Sequence, residues 1–151
     1  MILKVKKLSP DAQIPTFGTV CAAGMDLYAS GYDGDVVRES YDVRLGEICS
    51  IPTGIAVEIP DGYFGVVAFR SSMAFKRGFS IPSGIGVIDN DYRGGIRVAV
   101  QNCGNDPFLK IKAGERIAQL IILPMQYIQI KEVEELSDTD RGTNGFGSTG
   151  V

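Results

Sequence analysis

The sequence predicts an all-β domain, a sandwich or a barrel, on three observations. Apolar or alternating runs of three to eight residues recur along most of the 151-residue chain. Groups of Gly, Pro, Asn and Asp punctuate them, and no ten-residue helical pattern lies between, as a parallel α/β fold would require. Glycine is abundant, with 19 residues scattered singly as turn formers rather than run together, against an average usage of roughly 7%. The length suits one domain with a core that needs no disulfides.

In chain order the candidate strands are Leu3–Leu8, Met25–Ala29, Glu47–Ile51, Gly54–Ile59, Phe64–Phe69 and Phe79–Ile81, followed by Gly86–Ile88, Gly95–Gln101, Phe108–Ile111, Arg116–Leu123 and Ile128–Val133. Leu3 and Val5 alternate with Lys4 and Lys6, the mark of a half-buried strand. "PDG" at 60–62, "RGG" at 93–95, "CGNDP" at 103–107 and "KAG" at 112–114 supply turn chemistry between runs. The exception is "SSMAFKRG", Ser71 to Gly78, where a serine cap and a terminal glycine predict one or two helical turns. From Leu136 onward apolar groups are few, and a mobile tail is expected.

Composition excludes several classes. A net charge of −3 argues against a nucleic-acid polymer as partner, because such binding rests on neutralising many phosphates. Lys4, Lys6 and Lys7 break the first residues, so no apolar signal region is expected, and no run is long enough to span a membrane. Cys21, Cys49 and Cys103 are odd in number and widely spaced. They suggest buried thiols of an intracellular, cytoplasmic protein rather than a zinc site or a disulfide framework. Histidine is absent. That removes the usual general base and every Ser-His or Cys-His pair, so proton chemistry falls to a carboxylate, tyrosine, lysine or cysteine.

Four internal segments carry candidate chemistry. In "GVIDNDYRGG", Gly86 to Gly95, an apolar strand runs into Asp89 and then Tyr92. It reads either as a hairpin with a polar tip or as a carboxylate base beside a tyrosine platform. "FRSSMA", Phe69 to Ala74, sets Arg70 before Ser71 and Ser72 at a helix start, as a cap or as an anion site. "GERIAQL" places Gln119 between Ala118 and Leu120, and "AAGMDLYA" places Asp26 in an apolar strand. Both side chains need partners there.

The tail "RGTNGFGSTG", Arg141 to Gly150, matches two phosphate-binding patterns. Gly145, Gly147 and Gly150 fit G-x-G-x-x-G, while Gly142 and Gly147 fit a P-loop with Ser148 where lysine belongs. Both patterns need a following helix to supply amides, and only Val151 follows.

"AGMDLYA", "RSSMA", "GVIDNDYRG", "GERIAQL" and "RGTNGFGSTG", in that order, closely resemble the five motifs of the trimeric dUTP diphosphatases (dUTPases). "PTGIAVEIP" at 52–60 is also typical, and the resemblance covers essentially the whole chain. It implies a jelly-roll-like β-barrel over residues 1–135 with one short helix. Residues 136–151 then form a flexible glycine-rich arm closing over a neighbouring subunit's site, not a P-loop. It implies a homotrimer with active sites built from three chains. The reaction would be hydrolysis of dUTP to dUMP and pyrophosphate with Mg²⁺ on the triphosphate, keeping uracil out of DNA and supplying dUMP for thymidylate synthesis.

By the same resemblance, Asp89 activates the water that attacks the α-phosphorus, and Tyr92 packs on deoxyribose and excludes a 2′-hydroxyl. Ser83, Val87 and Ile88, with the returning strand near Arg97, read uracil. Arg70, Ser71, Ser72 and Gln119 bind phosphate, and Asp26 supports the site or metal-bound water. From the tail, Arg141 neutralises triphosphate charge, Phe146 stacks on uracil, and Gly147, Ser148 and Thr149 reach the terminal phosphates. The family often carries glycine where Ser72 and Asn144 stand, and asparagine in place of Ser83.

Overall fold

The computed structural model describes residues 1–143. Fourteen strands and one helix follow in the order β1 (Lys4–Lys7), β2 (Thr16–Phe17), β3 (Met25–Tyr28), β4 (Tyr32–Asp33), β5 (Val36–Val37), β6 (Ser40–Arg44), β7 (Ile48–Pro52), β8 (Ile55–Glu58) and β9 (Tyr63–Phe69). Helix α1 (Ser71–Arg77) comes next, then β10 (Phe79–Ser80), β11 (Gly86–Ile88), β12 (Arg97–Asn102), β13 (Phe108–Lys112) and β14 (Arg116–Pro124). The fold is all-β, as expected. A five-stranded sheet runs β11-β9-β14-β3-β2, and a three-stranded sheet runs β10-β12-β7. Three two-stranded ladders, β1-β8, β13-β6 and β4-β5, complete the set. All these strand pairs are antiparallel. No continuous ring of ladders joins them into a closed barrel among the described residues.

Alternation drives the packing. In β12, Val98, Val100 and Asn102 are buried while Arg97 is exposed. In β13, Leu109 and Ile111 face in between exposed neighbours. Their side chains meet Leu27, Ile51, Ile55, Ile117 and Leu120 in one core, each worth about 1.5–3 kcal/mol of burial. The buried Asn102 is fully occupied. Its Nδ2 donates to the Val43 and Asp106 carbonyls at 3.1 and 3.0 Å, and its Oδ1 accepts from the Gly104 amide at 3.1 Å.

Several expectations are corrected. The strand β6 was not legible, because only Tyr41 and Val43 of "SYDVR" face the core. Its partner β13 is what holds it extended. The short β2, β4 and β5 are likewise defined by pairing rather than composition. Conversely, Ile128–Val133 alternates well yet forms no strand. Ile128 and Ile130 stand exposed, because a strand needs a ladder partner for its backbone groups. Cys21 and Cys103 are exposed and Cys49 is half-buried, so these thiols are not core residues. No helix among the described residues is long and apolar enough to cross a membrane.

Helix α1 begins differently from the serine-capped start that "SSMAFKRG" predicts. The N-cap is Arg70, in extended conformation and with no side-chain cap, so Ser71 is already helical. At the other end Gly78 adopts φ 70°, and its amide closes the helix on the Ala74 carbonyl at 3.1 Å. A Cβ on Gly78 would lie 2.4 Å from the Gly104 Cα, backbone against backbone. Gly78→Ala should therefore cost more than about 2 kcal/mol, the left-handed penalty plus the clash. Thermal melting of the purified variant checks this.

Candidate functional site

The first group of candidate residues forms where β3, β14 and α1 meet. Asp26 on β3 faces Gln119 on β14 across the ladder. Asp26 as a whole is 2% exposed. Three donors reach it. Arg70 Nε lies 3.1 Å from Oδ1, Arg116 Nη1 3.2 Å from Oδ2, and Gln119 Nε2 3.4 Å from Oδ1. Arg116 was not singled out in the sequence, since it opens an apolar strand and its Asp26 contact depends on the bulge between Arg116 and Ala118. Gly24 leaves room for Gln119, because a Cβ there would come within 3.0 Å of the glutamine Cβ.

This group also sets the helix. Asp26 holds Arg70 at the N-cap of α1, while Glu115 takes the Arg77 guanidinium at its last turn. Arg77 also donates to the Lys110 carbonyl and lies over the Phe79 ring at 5.1 Å. Asp26 on β3 and Glu115, the residue before β14, thus anchor the two ends of α1. Ser71 and Ser72 sit in its first turn, where backbone amides lack intrahelical partners. Since no side chain caps α1, neither hydroxyl is committed to capping.

The second group surrounds a cleft of about 230 Å³ lined by Val87, Ile88, Asp89, Tyr92, Gly95, Ile96 and Arg97. β11 ends at Ile88, and the Tyr92 amide returns to the Asp89 carbonyl at 3.2 Å in a tight turn. Tyr92 Oη then donates to the Gly95 carbonyl at 3.2 Å. The ring lies across Gly94, whose Cβ would sit 2.3 Å from that hydroxyl. Composition marks Gly94 as a turn residue, and packing gives it a second reason. Ile96 is buried and fixed through its backbone, donating to Ile55 and accepting from Thr53 Oγ1 at 2.7 Å. The Asp89 carboxylate has no hydrogen-bond or ion-pair partner among the described residues.

Arg97 is engaged away from Asp89. Its Nη1 and Nη2 donate to the two Asp33 carboxylate oxygens at 2.6 and 3.0 Å. Ser50 accepts from Nε at 2.8 Å through Oγ and from Nη2 at 2.8 Å through its carbonyl. The hydrogen bond from Arg97 holds the Asp33 carboxyl below its ordinary 3.8, and burial opposes that only in part. Asp33 was missed because it lies in the short β4, which only its pairing with β5 defines.

Register keeps the two groups apart. Ile88 pairs with Gly65 on β9, so Asp89 falls level with Phe64. Arg70 follows the far end of the same strand at Phe69. Six positions of strand separate the two levels (70 − 64), about 20 Å at ~3.3 Å per residue, beyond the reach of a side chain. Ser83 lies outside the cleft lining, in the turn closed by the Gly84 amide on the Ile81 carbonyl, and its hydroxyl donates to the Ile85 carbonyl at 2.7 Å. Arg141 is exposed in the turn that ends at Gly142. Phe146, Gly147, Ser148 and Thr149 lie outside the described residues.

The all-β chain thus carries a carboxylate-tyrosine cleft and, apart from it, a cluster of arginine, glutamine and hydroxyl donors of the kind that suits an anionic ligand. A family model for dUTPase matches residues 10–150. The chain is 47% identical over 150 residues to the deoxyuridine 5'-triphosphate nucleotidohydrolase of Nautilia profundicola, covering 99% of each. With the enzyme of the same name from Hydrogenobaculum sp. it shares 42% over 151 residues, 100% of this chain and 99% of the other. The solved dUTPase of Staphylococcus bacteriophage 80alpha with dUpNHpp superposes with a TM-score of 0.87 at 31% identity, covering 99% of each chain. This chain belongs to the dUTPase family. It is a dUTP diphosphatase, an enzyme that hydrolyses dUTP to dUMP.

Removing the carboxylate at position 26 would leave two arginines around a buried gap. Asp26→Ala should lower stability by about 1–3 kcal/mol, less than for a wholly buried pair because Arg70 and Arg116 keep solvent access. Urea unfolding of the variant against the parent chain measures it.

Proposed function

We propose that Asp89 is the general base of this hydrolysis, the unpaired Asp89 carboxylate in the Tyr92 cleft being the observation that carries the reading. A chain without histidine needs such a group. Water held by Asp89 gives up its proton to the carboxylate as it attacks the α-phosphorus of dUTP. The α–β bridging bond breaks, dUMP forms and pyrophosphate leaves. Positioning and charge neutralisation dominate such a reaction. Tyr92, braced on the Gly95 carbonyl, packs against deoxyribose and crowds out a 2′-hydroxyl. Backbone groups of Val87, Ile88 and Arg97, with Ser83 at the adjoining turn, read uracil. A base with another donor pattern leaves buried groups unpaired. The product dUMP feeds thymidylate synthesis, and removal of dUTP keeps uracil out of DNA.

Phosphate binding falls to Arg70, Ser71, Ser72 and Gln119, with Arg70 and Gln119 held by Asp26. The Asp26 oxygens are taken up by Arg70, Arg116 and Gln119, so Asp26 acts by positioning these donors. Mg²⁺ suits this arrangement. Mg²⁺ keeps several waters and binds mainly to substrate phosphates, which these donors would surround. When bound there, it offsets charge on the departing pyrophosphate.

Within one chain, about 20 Å of β9 separates the level of Asp89 from that of Arg70. That separation supports a homotrimer in which each site joins the Asp89 cleft of one chain to the Arg70 group of another. Residues 136–151 supply the arm that completes the site, with Arg141 on phosphate, Phe146 on uracil, and Gly147, Ser148 and Thr149 toward the terminal phosphates.

Two experiments test these statements. Asp89→Asn should lower kcat for pyrophosphate release from dUTP by about 10²–10⁴, the range for a positioned base, with little change in nucleotide affinity. Near-normal turnover would remove Asp89 from the mechanism. Composite sites predict complementation between two weak variants, Asp89→Asn and Arg70→Gln, refolded together in equal amounts. In a cyclic trimer every mixed assembly regains one intact site, so activity should recover to about a quarter of the parent value. Recovery no greater than the sum of the separate variants would rule out sites shared between chains.

A further inference from the structure

Arg97 stands in a wall shared by two cavities. One is the cleft that holds Asp89. The other, of about 420 Å³, is lined on its far side by Tyr32, Asp33 and Gly34. The guanidinium is committed to the far side. It makes a two-pronged pair with Asp33 and two further hydrogen bonds to Ser50, the fork geometry in which arginine binds carboxylate best. Asp33 is carried by the β4-β5 hairpin, which contributes nothing to the Asp89 cleft. Arg97 thus pairs with the Asp33 carboxylate and shares the lining of the near cleft with Asp89. The Asp89 carboxylate has no partner among the described residues.

From this geometry we propose that Asp33 is a positioning residue for the hydrolysis. By holding Arg97, it keeps a cation off Asp89. An arginine paired with a carboxylate occupies its lone pairs and weakens its hold on a proton, so a released Arg97 would quench the base in its own cleft. The β4-β5 hairpin is then a sequestering device for one charge, reaching the chemistry only through Arg97. The inference rests on the reading of Asp89 as the base.

The test compares dUTP hydrolysis by the parent chain, Asp33→Asn, the double variant Asp33→Asn/Arg97→Gln, and Asp89→Asn. In Asp33→Asn, kcat should fall by about tenfold. KM should stay level or drop, because a freed cation attracts an anionic nucleotide. The double variant, which removes the released cation, should run at least about threefold faster than Asp33→Asn. A hairpin that only stiffens the fold gives the opposite pattern, with KM raised and the double variant no faster than the single. Either of those results, or a kcat for Asp33→Asn within about twofold of the parent, overturns the proposal. Asp33→Ser removes the same carboxylate with a turn-compatible side chain and carries the same expectations should Asp33→Asn fail to fold. Asp89→Asn separates the two readings. If it is inactive while Asp33→Asn is normal, only the role of Asp33 fails. If it turns over normally, the base reading fails and the role of Asp33 with it.

Discussion

The buried carboxylate of Asp26 is the constraint on which one half of this molecule depends. A carboxylate on a residue 2% exposed is tolerable only when donors surround it. Those donors come from two elements: Arg70 at the start of α1, and Arg116 and Gln119 on β14. Satisfying one charge therefore fixes where the helix leaves the sheet and which way the glutamine turns. Glu115 repeats the device at the other end of the helix. Arg70 and Gln119 are placed by electrostatics as much as by apolar packing.

The other half is organised by backbone geometry. A turn at Asp89–Tyr92, a hydroxyl on the Gly95 carbonyl and a doubly held Ile96 make a cleft wall with little freedom. Glycine at 94 lets an aromatic ring lie close to the chain. The wall continues into Arg97, whose charge is turned outward to Asp33 and Ser50. Between the halves runs β9, with Asp89 level with one end and Arg70 at the other. Antiparallel register sets that separation, and a one-residue slip would turn every core residue of the sheet outward.

Much of the site was legible because its residues are chemically conspicuous where they stand. Asp26 and Gln119 interrupt apolar runs, and Asp89 ends one. Arg116 and Asp33 were not legible. Arg116 opens a strand as an unremarkable exposed residue, and only the β-bulge brings it to Asp26. Asp33 sits on a two-residue strand that no pattern announces, and its partner is 64 positions away. Strand β6 was hidden for a related reason, since two inward residues in five are too few to signal without β13 beside them. Ile128–Val133 shows the reverse, with a good pattern that finds no ladder among the described residues.

The sequence by itself determined the all-β class, the turn positions, the candidate base and, through its motifs, the family. These are local facts, carried by period-two alternation, turn chemistry and runs of neighbouring residues. The tertiary structure alone decided which charges meet, that Asp26 binds two arginines and a glutamine, that Arg97 turns from Asp89 to Asp33, and how far Asp89 lies from Arg70. Such pairings join residues tens of positions apart. They depend on register, bulges and the packing angle of one short helix, and no local pattern in the chain encodes those quantities.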